Sequence, residues 1–142
     1  LNLINAETSD LEITYRIKRN SIKQYVEKIW GWNDSFQREI HKQKFIAHDT
    51  KLIEHNEKKI GFIVIKETDL EIYIENLLIE QNFQNLGIGK LVMEPIIKRA
   101  KTKKKQIRLQ VFKINSKAQR FYVNLGFEKI SDLENHIEMK KF

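Results

Sequence analysis

Between Glu75 and Arg99 the chain reads ENLLIEQNFQNLGIGKLVMEPIIKR, and these residue types at this spacing could hold a phosphate group. Leu77, Leu78 and Ile79 form an apolar run that reads as the end of a strand. Gln84-Asn85-Leu86-Gly87-Ile88-Gly89 follows, and Lys90 to Arg99 read as helix. A strand that feeds a glycine-bearing turn into a helix N-terminus presents unpaired backbone N–H groups and the positive end of a dipole. Two glycines there remove the side chains that would keep a diphosphate away. An ordinary strand-to-helix turn accounts for the same residues equally well on geometry alone.

Other chemistries find no support. The chain has no cysteine, so neither a thiol nucleophile nor a disulfide framework is available. His41, His48, His55 and His136 lack metal-ligand spacing, and no serine sits in a nucleophile elbow. The formal charge of +7 favours an anionic partner. Six of the eight residues from Lys98 to Lys105 are basic. They read as the solvated C-terminal end of a helix, where cations suit the dipole; a nucleic-acid patch and an attractive field for a phosphorylated cofactor are the sharper alternatives.

These groups must be positioned by one domain, the natural reading of 142 residues without a proline- or glycine-rich linker. With 41% hydrophobic residues the chain can bury a core. No apolar run approaches the ~18 residues of a membrane span and no signal-peptide pattern opens the chain, so a cytoplasmic protein with no membrane partner is the default expectation.

Leu1 to Asn5 read as an edge strand. Ser9-x-x-Glu12 has the spacing of a capping box, and a helix follows to about Trp30, ended by Gly31. Asn33 or Asp34 caps a second helix to about Phe45. Trp32 and Phe36 flank the junction between the two helices rather than forming a stripe, which makes them candidates for lining a substrate pocket as well as ordinary core residues. Lys51 to Glu54 and Lys59 to Ile65 read as strands, and Gly61 in the second suits a close backbone approach. In a third strand, Leu70 to Ile79, Leu70, Ile72 and Ile74 share a face, while Leu77 and Ile79 continue the apolar set one residue out of phase. That slip predicts a β-bulge near Glu75 and Asn76, unless the strand end is simply buried on both faces.

The next helix runs to about Lys103, with a kink expected at Pro95. Ile107, Leu109 and Val111 alternate as a strand, parallel to the third through a right-handed crossover. Asn115 caps a short helix whose Ala118, Phe121, Tyr122 and Leu125 form a buried stripe. Gly126 stops it, and two last strands lie at Phe127 to Ile130 and Ile137 to Lys141.

Gln84-x-x-Gly87-x-Gly89 after an apolar strand resembles the acetyl-coenzyme A pyrophosphate loop of the GNAT N-acetyltransferase superfamily. Asn115-x-x-Ala118-x-x-Phe121-Tyr122-x-x-x-Gly126-Phe127 resembles the helix after that family's fifth strand. The resemblance implies an α/β acyl-CoA N-acyltransferase fold, a central mixed sheet of about six or seven strands flanked by about four helices. It implies that Leu77, Leu78 and Ile79 offer backbone groups to the pantetheine arm, as a strand added to a sheet edge would. Gln84, Asn85, Leu86, Gly87, Ile88, Gly89 and Lys90 would wrap the pyrophosphate, and Asn115 would contact the cofactor. Tyr122 would give a proton to the thioester sulfur, although a tyrosine in an apolar stripe is also a plain core residue. Glu75, at the expected bulge, is the candidate base or an anchor for a cationic acceptor, ahead of Glu71 and Glu80. The implied partners are acetyl-CoA and an amine acceptor shaped in part by Trp32, Phe36 and Glu75. An acyl-CoA sensor without turnover is an alternative. A basic nucleic-acid module built on Lys98 to Lys105 is another, disfavoured because it leaves the glycine loop unexplained. Oligomeric state, a homodimer included, stays open.

Overall fold

The computed structural model describes all 142 residues, Leu1 to Phe142. Strands β1 (Asn2–Asn5), β2 (Thr50–His55), β3 (Lys58–Glu67), β4 (Glu71–Ile79), β5 (Gln106–Phe112), β6 (Glu128–Asp132) and β7 (His136–Lys141) form one seven-stranded sheet in the order β1-β2-β3-β4-β5-β7-β6. The helices are α1 (Leu11–Trp30), α2 (Asp34–Lys44), α3 (Ile88–Lys103) and α4 (Ser116–Asn124). No helix is long and apolar enough to cross a membrane. Contacts cluster the chain into two compact units, Leu1–Val64 with Asn76–Leu86, and Ile65–Glu75 with Gly87–Phe142.

In the first unit β1, β2 and β3 pair antiparallel. Ile17 of α1 packs with Leu52, Phe62 and Val64, and Ala6, Ile13 and Leu78 close over this cluster. The capping box expected at Ser9 and Glu12 is not formed. The Asp10 carboxylate instead accepts the Glu7 N–H at 2.8 Å and the Lys59 ammonium at 3.3 Å. This is a capping box set two residues earlier, with Glu7 as the cap and Asp10 in the role foreseen for Glu12. Helix α2 starts as expected, with Asn33 Oδ1 accepting the Phe36 N–H at 3.0 Å.

Strand β4 carries the predicted slip. At the hairpin turn the Thr68 N–H donates to the Glu71 carbonyl at 2.9 Å, and counting outward from that pair sets Ile60 opposite Ile79. The Ile60 carbonyl instead takes the Glu80 N–H at 2.8 Å, so β4 accommodates one extra residue. Side chains agree. Glu75 pairs with Lys66 at 3.5 Å and so shares the face of Lys66, Val64 and Phe62. Leu78, three residues on, packs against the cluster that holds Phe62 and Val64, which unbroken alternation forbids. Gly61 lies beneath this irregularity: a Cβ there would stand 2.5 Å from the Leu78 carbonyl oxygen.

Leu70 departs from expectation. It does not share a buried face with Ile72 and Ile74 but sits 81% exposed at the hairpin tip. The Thr68 hydroxyl accepts the Leu70 and Glu71 N–H groups at 3.2 Å, making Asp69 and Leu70 turn residues rather than strand.

In the second unit β5 pairs parallel with β4 from Glu71↔Gln106 to Ile74↔Leu109, and antiparallel with β7. Ile72, Ile74, Ile107, Leu109, Val111, Ile137 and Met139 supply buried sheet residues; Ile88, Val92, Met93, Ile96 and Ala100 supply the buried stripe of α3. Pro95 falls on the exposed side of α3, where the Leu91 carbonyl it leaves unbonded can be solvated, so the helix continues to Lys103.

Candidate active site

Gly87 is the residue before α3 and has φ 80°, ψ 5°, the left-handed conformation that glycine adopts without strain. No side chain caps this end. The first bond back into the turn is Leu91 N–H to the Gly87 carbonyl at 3.2 Å, so the Ile88, Gly89 and Lys90 amides remain as donors at the positive end of the dipole. Nothing lies within 4 Å of where a Gly87 Cβ would stand. Gly89 has a different reason: a Cβ there would meet the Phe121 ring at 3.0 Å, so this glycine lets α4 approach α3. Asn85 is also left-handed, at φ 65°, and Leu86 is 63% exposed. Gln84 does not reach outward with its amide, which donates to the Ile79 carbonyl at 2.8 Å and folds the loop back onto the end of β4.

Asn115 acts first as a helix cap, its Oδ1 accepting the Ala118 N–H at 3.0 Å. Two helical turns beyond that cap, Tyr122 packs edge-on against Phe121 and Phe127 at 5.0 and 5.3 Å between centroids. Only 7% of the residue is exposed, and burial pushes its phenol well above the ordinary value. Its hydroxyl makes no hydrogen bond within the protein, yet no buried side-chain oxygen or nitrogen in the molecule is unpaired. The hydroxyl oxygen therefore reaches space open to solvent, protonated and without a partner.

Glu75 is about one-third exposed and makes a single long ion pair, to Lys66. Across the same face of the sheet a tighter cluster forms, which sequence spacing does not reveal because its members come from three strands. Arg108 donates to both Glu71 oxygens at 3.1 and 2.9 Å and to Glu138 at 3.2 Å, and its guanidinium lies 4.3 Å over the Tyr73 ring. Glu71 is held below the usual carboxylate range by the Arg108 hydrogen bonds. It is committed to structure, which leaves Glu75 as the less encumbered carboxylate of β4.

The first unit holds the remaining sequence candidates. Leu77, Leu78 and Ile79 are half-buried, with Leu78 in the core cluster. Phe36 is 61% exposed on α2, and Trp32 lies half-buried in the connection between α1 and α2. That connection is fixed by the Asp34 carboxylate. It accepts the Tyr15 hydroxyl at 2.6 Å and Arg38 Nε at 2.9 Å, while Arg38 also grips Glu12 at 2.7 Å. The hydrogen bond from Tyr15 is the largest of the influences that hold Asp34 below its ordinary range. Tyr122, Glu75, Asn115 and Gly87 to Lys90 thus fall in one unit; Trp32, Phe36, Leu77 to Ile79 and Gln84 to Leu86 fall in the other.

The mixed sheet and its four helices also match the folds of solved acetyltransferases. The fold matches PaiA N-acetyltransferase from Thermoplasma acidophilum, solved with coenzyme A, at TM-score 0.79 and 20% identity over 99% of this chain and 97% of that one. It matches the ribosomal-protein-S18-alanine N-acetyltransferase from Escherichia coli at TM-score 0.71 and 18% identity, covering 98% of this chain and 91% of that one. An Arabidopsis thaliana protein solved with a bisubstrate analogue of coenzyme A and an acetylated peptide matches at TM-score 0.67 and 19% identity, covering 99% and 97%. No curated protein sequence matches the chain.

The sequence model of the acetyltransferase (GNAT) family matches residues 12–127, and the chain belongs to that family. Acetyl transfer is accordingly the chemistry of its family.

Proposed function

We propose that this chain moves an acetyl group from acetyl-CoA to a primary amine by direct attack in a ternary complex. The observation that carries this reading is the uncapped first turn of α3, whose free amides follow a left-handed glycine. The Ile88, Gly89 and Lys90 amides, with Gln84 to Gly87 before them, hold the diphosphate. Backbone groups of Leu77, Leu78 and Ile79 pair with the pantetheine arm, and the Asn115 side-chain nitrogen, left over from capping, donates to the same substrate. Family membership over residues 12–127 spans both units and supports their acting as one acyltransferase domain. A cytoplasmic setting is part of the proposal.

The residues divide the work simply. Glu75 takes the proton of the acceptor amine, directly or through water, so that a neutral nitrogen can attack. Backbone N–H groups freed at the bulge of β4 receive the negative charge that develops on the carbonyl oxygen. The C–N bond forms, the C–S bond breaks, the Tyr122 hydroxyl protonates the departing thiolate, and the proton that the nitrogen sheds on becoming an amide restores that hydroxyl through water. Trp32 and Phe36, on the α1–α2 side, shape the acceptor pocket. No covalent enzyme intermediate is needed.

Thermal melts with acetyl-CoA, followed by free-thiol release across a panel of amines, test this. Cofactor at ~100 times its Kd should add about 2.7 kcal/mol of stability. Absence of a shift removes the cofactor site; a shift without turnover on any amine leaves an acyl-CoA sensor.

A further inference from the structure

We propose that the end of the molecule formed by the C-terminus of α3 is a docking surface for duplex nucleic acid, held through its phosphate backbone, alongside the acetyl-transfer site. Six basic residues cluster there, but the structure sorts them into two groups. Arg99 and Lys105 are both spent on Glu67, at 2.9 and 2.6 Å. Lys98, Lys101, Lys103 and Lys104 are exposed and make no ion pair within the protein. Four uncompensated cations thus surround one helix end.

Their placement favours a groove over a plane. At about 100° per residue, Lys98, Lys101 and Lys103 spread over about 200° of the helix circumference, and Lys104 follows at the terminus. A bilayer or a flat acidic face meets only part of such a fan. A duplex groove, with phosphates along both walls, reaches across the whole of this exposed arc. Lysines without interleaved aromatic residues suit backbone contacts and not base reading.

Lys104 gives a second, independent indication. It closes α3 at φ 54°, ψ 45°, a conformation open to glycine and strained for lysine. The chain carries a cation where glycine would fold better, and strain retained at a charged surface position points to a use for the charge.

The experiment is fluorescence anisotropy of the full chain with a labelled 20-base-pair DNA duplex at ~50–300 mM salt. Four phosphate contacts predict a log–log salt slope of about −3 to −4. Lys98→Gln/Lys101→Gln/Lys103→Gln/Lys104→Gln should weaken binding at least about tenfold and flatten the slope, whereas Lys23→Gln/Lys28→Gln on α1 should not. Thiol release by the fourfold variant should stay unchanged, since the surface is separate from acetyl transfer. Lys104→Gly alone should raise the melting temperature while lowering duplex affinity. Failure to bind duplex, equal binding by the fourfold variant, or binding of phosphatidylserine vesicles or poly-glutamate in preference to duplex would overturn the proposal.

Discussion

Tyr122 concentrates the catalytic question in one oxygen atom. Its ring is held by Phe121 and Phe127, so removing the hydroxyl leaves the packing intact. Tyr122→Phe should slow thiol release by ~10²–10⁴-fold while preserving the melting shift with acetyl-CoA; an unchanged rate excludes the acid role. Glu75→Gln should lower kcat and shift its pH dependence, whereas a merely charge-anchoring Glu75 would show as a rise in KM with kcat unchanged. Gly61→Ala tests the irregularity of β4. Its added methyl collides with backbone and not with a movable side chain, so destabilisation of about 1–3 kcal/mol is expected in urea unfolding. The sequence revealed these residues unevenly. The slip between Ile74 and Leu77 is written in hydrophobic alternation, but the two glycines of the loop look alike in sequence. Only the structure assigns Gly87 to a left-handed turn and Gly89 to the approach of Phe121.

The helices show how far local signals reach. Asn33, Asn115 and Gly126 mark helix ends by chemistry internal to their own segments, which is why they were legible. The box leading into α1 formed on Glu7 and Asp10 rather than Ser9 and Glu12, and Lys59, 49 residues away, joins Asp10, which nothing local announces. His41 is the same kind of case. It is the buried residue of α2, where its Nε2 lies 2.8 Å from the Thr14 hydroxyl. Burial, foremost, brings its pKa down to about 4. The unfolded chain therefore takes up a proton near pH 6.5 that the folded chain refuses until about pH 4. Stability from this residue is complete above about pH 6.5 and is lost as pH falls through that window, by on the order of 1–3 kcal/mol. His41→Gln, able to bond Thr14 without titrating, should flatten the acid limb of a melting-temperature profile. At the other end of α3, Lys104→Gly should stabilise the fold by about 1 kcal/mol.

For the whole molecule, order of elements and mixed sheet were readable from periodicity together with two resemblances at a fixed separation. Pairing partners were not, because cross-strand clusters such as Glu71–Arg108–Glu138 depend on register that no single segment encodes. The residues proposed for the acceptor fall in the same class, since Trp32, Phe36 and Glu75 have no shared spacing. A titration of amines against thiol release, run at pH 6 and pH 8, should show the rate rising with the fraction of neutral acceptor.

The knot at Asp34 has a further result for motion. Helix α2 buries little besides His41, so parting it from α1 exposes scant oily surface; most of what must be broken is polar and lies near water. Such a latch loosens with ionic strength, unlike one made of packed leucines. Amide hydrogens of α2 should be the first helical ones to exchange with deuterium, and faster in molar salt.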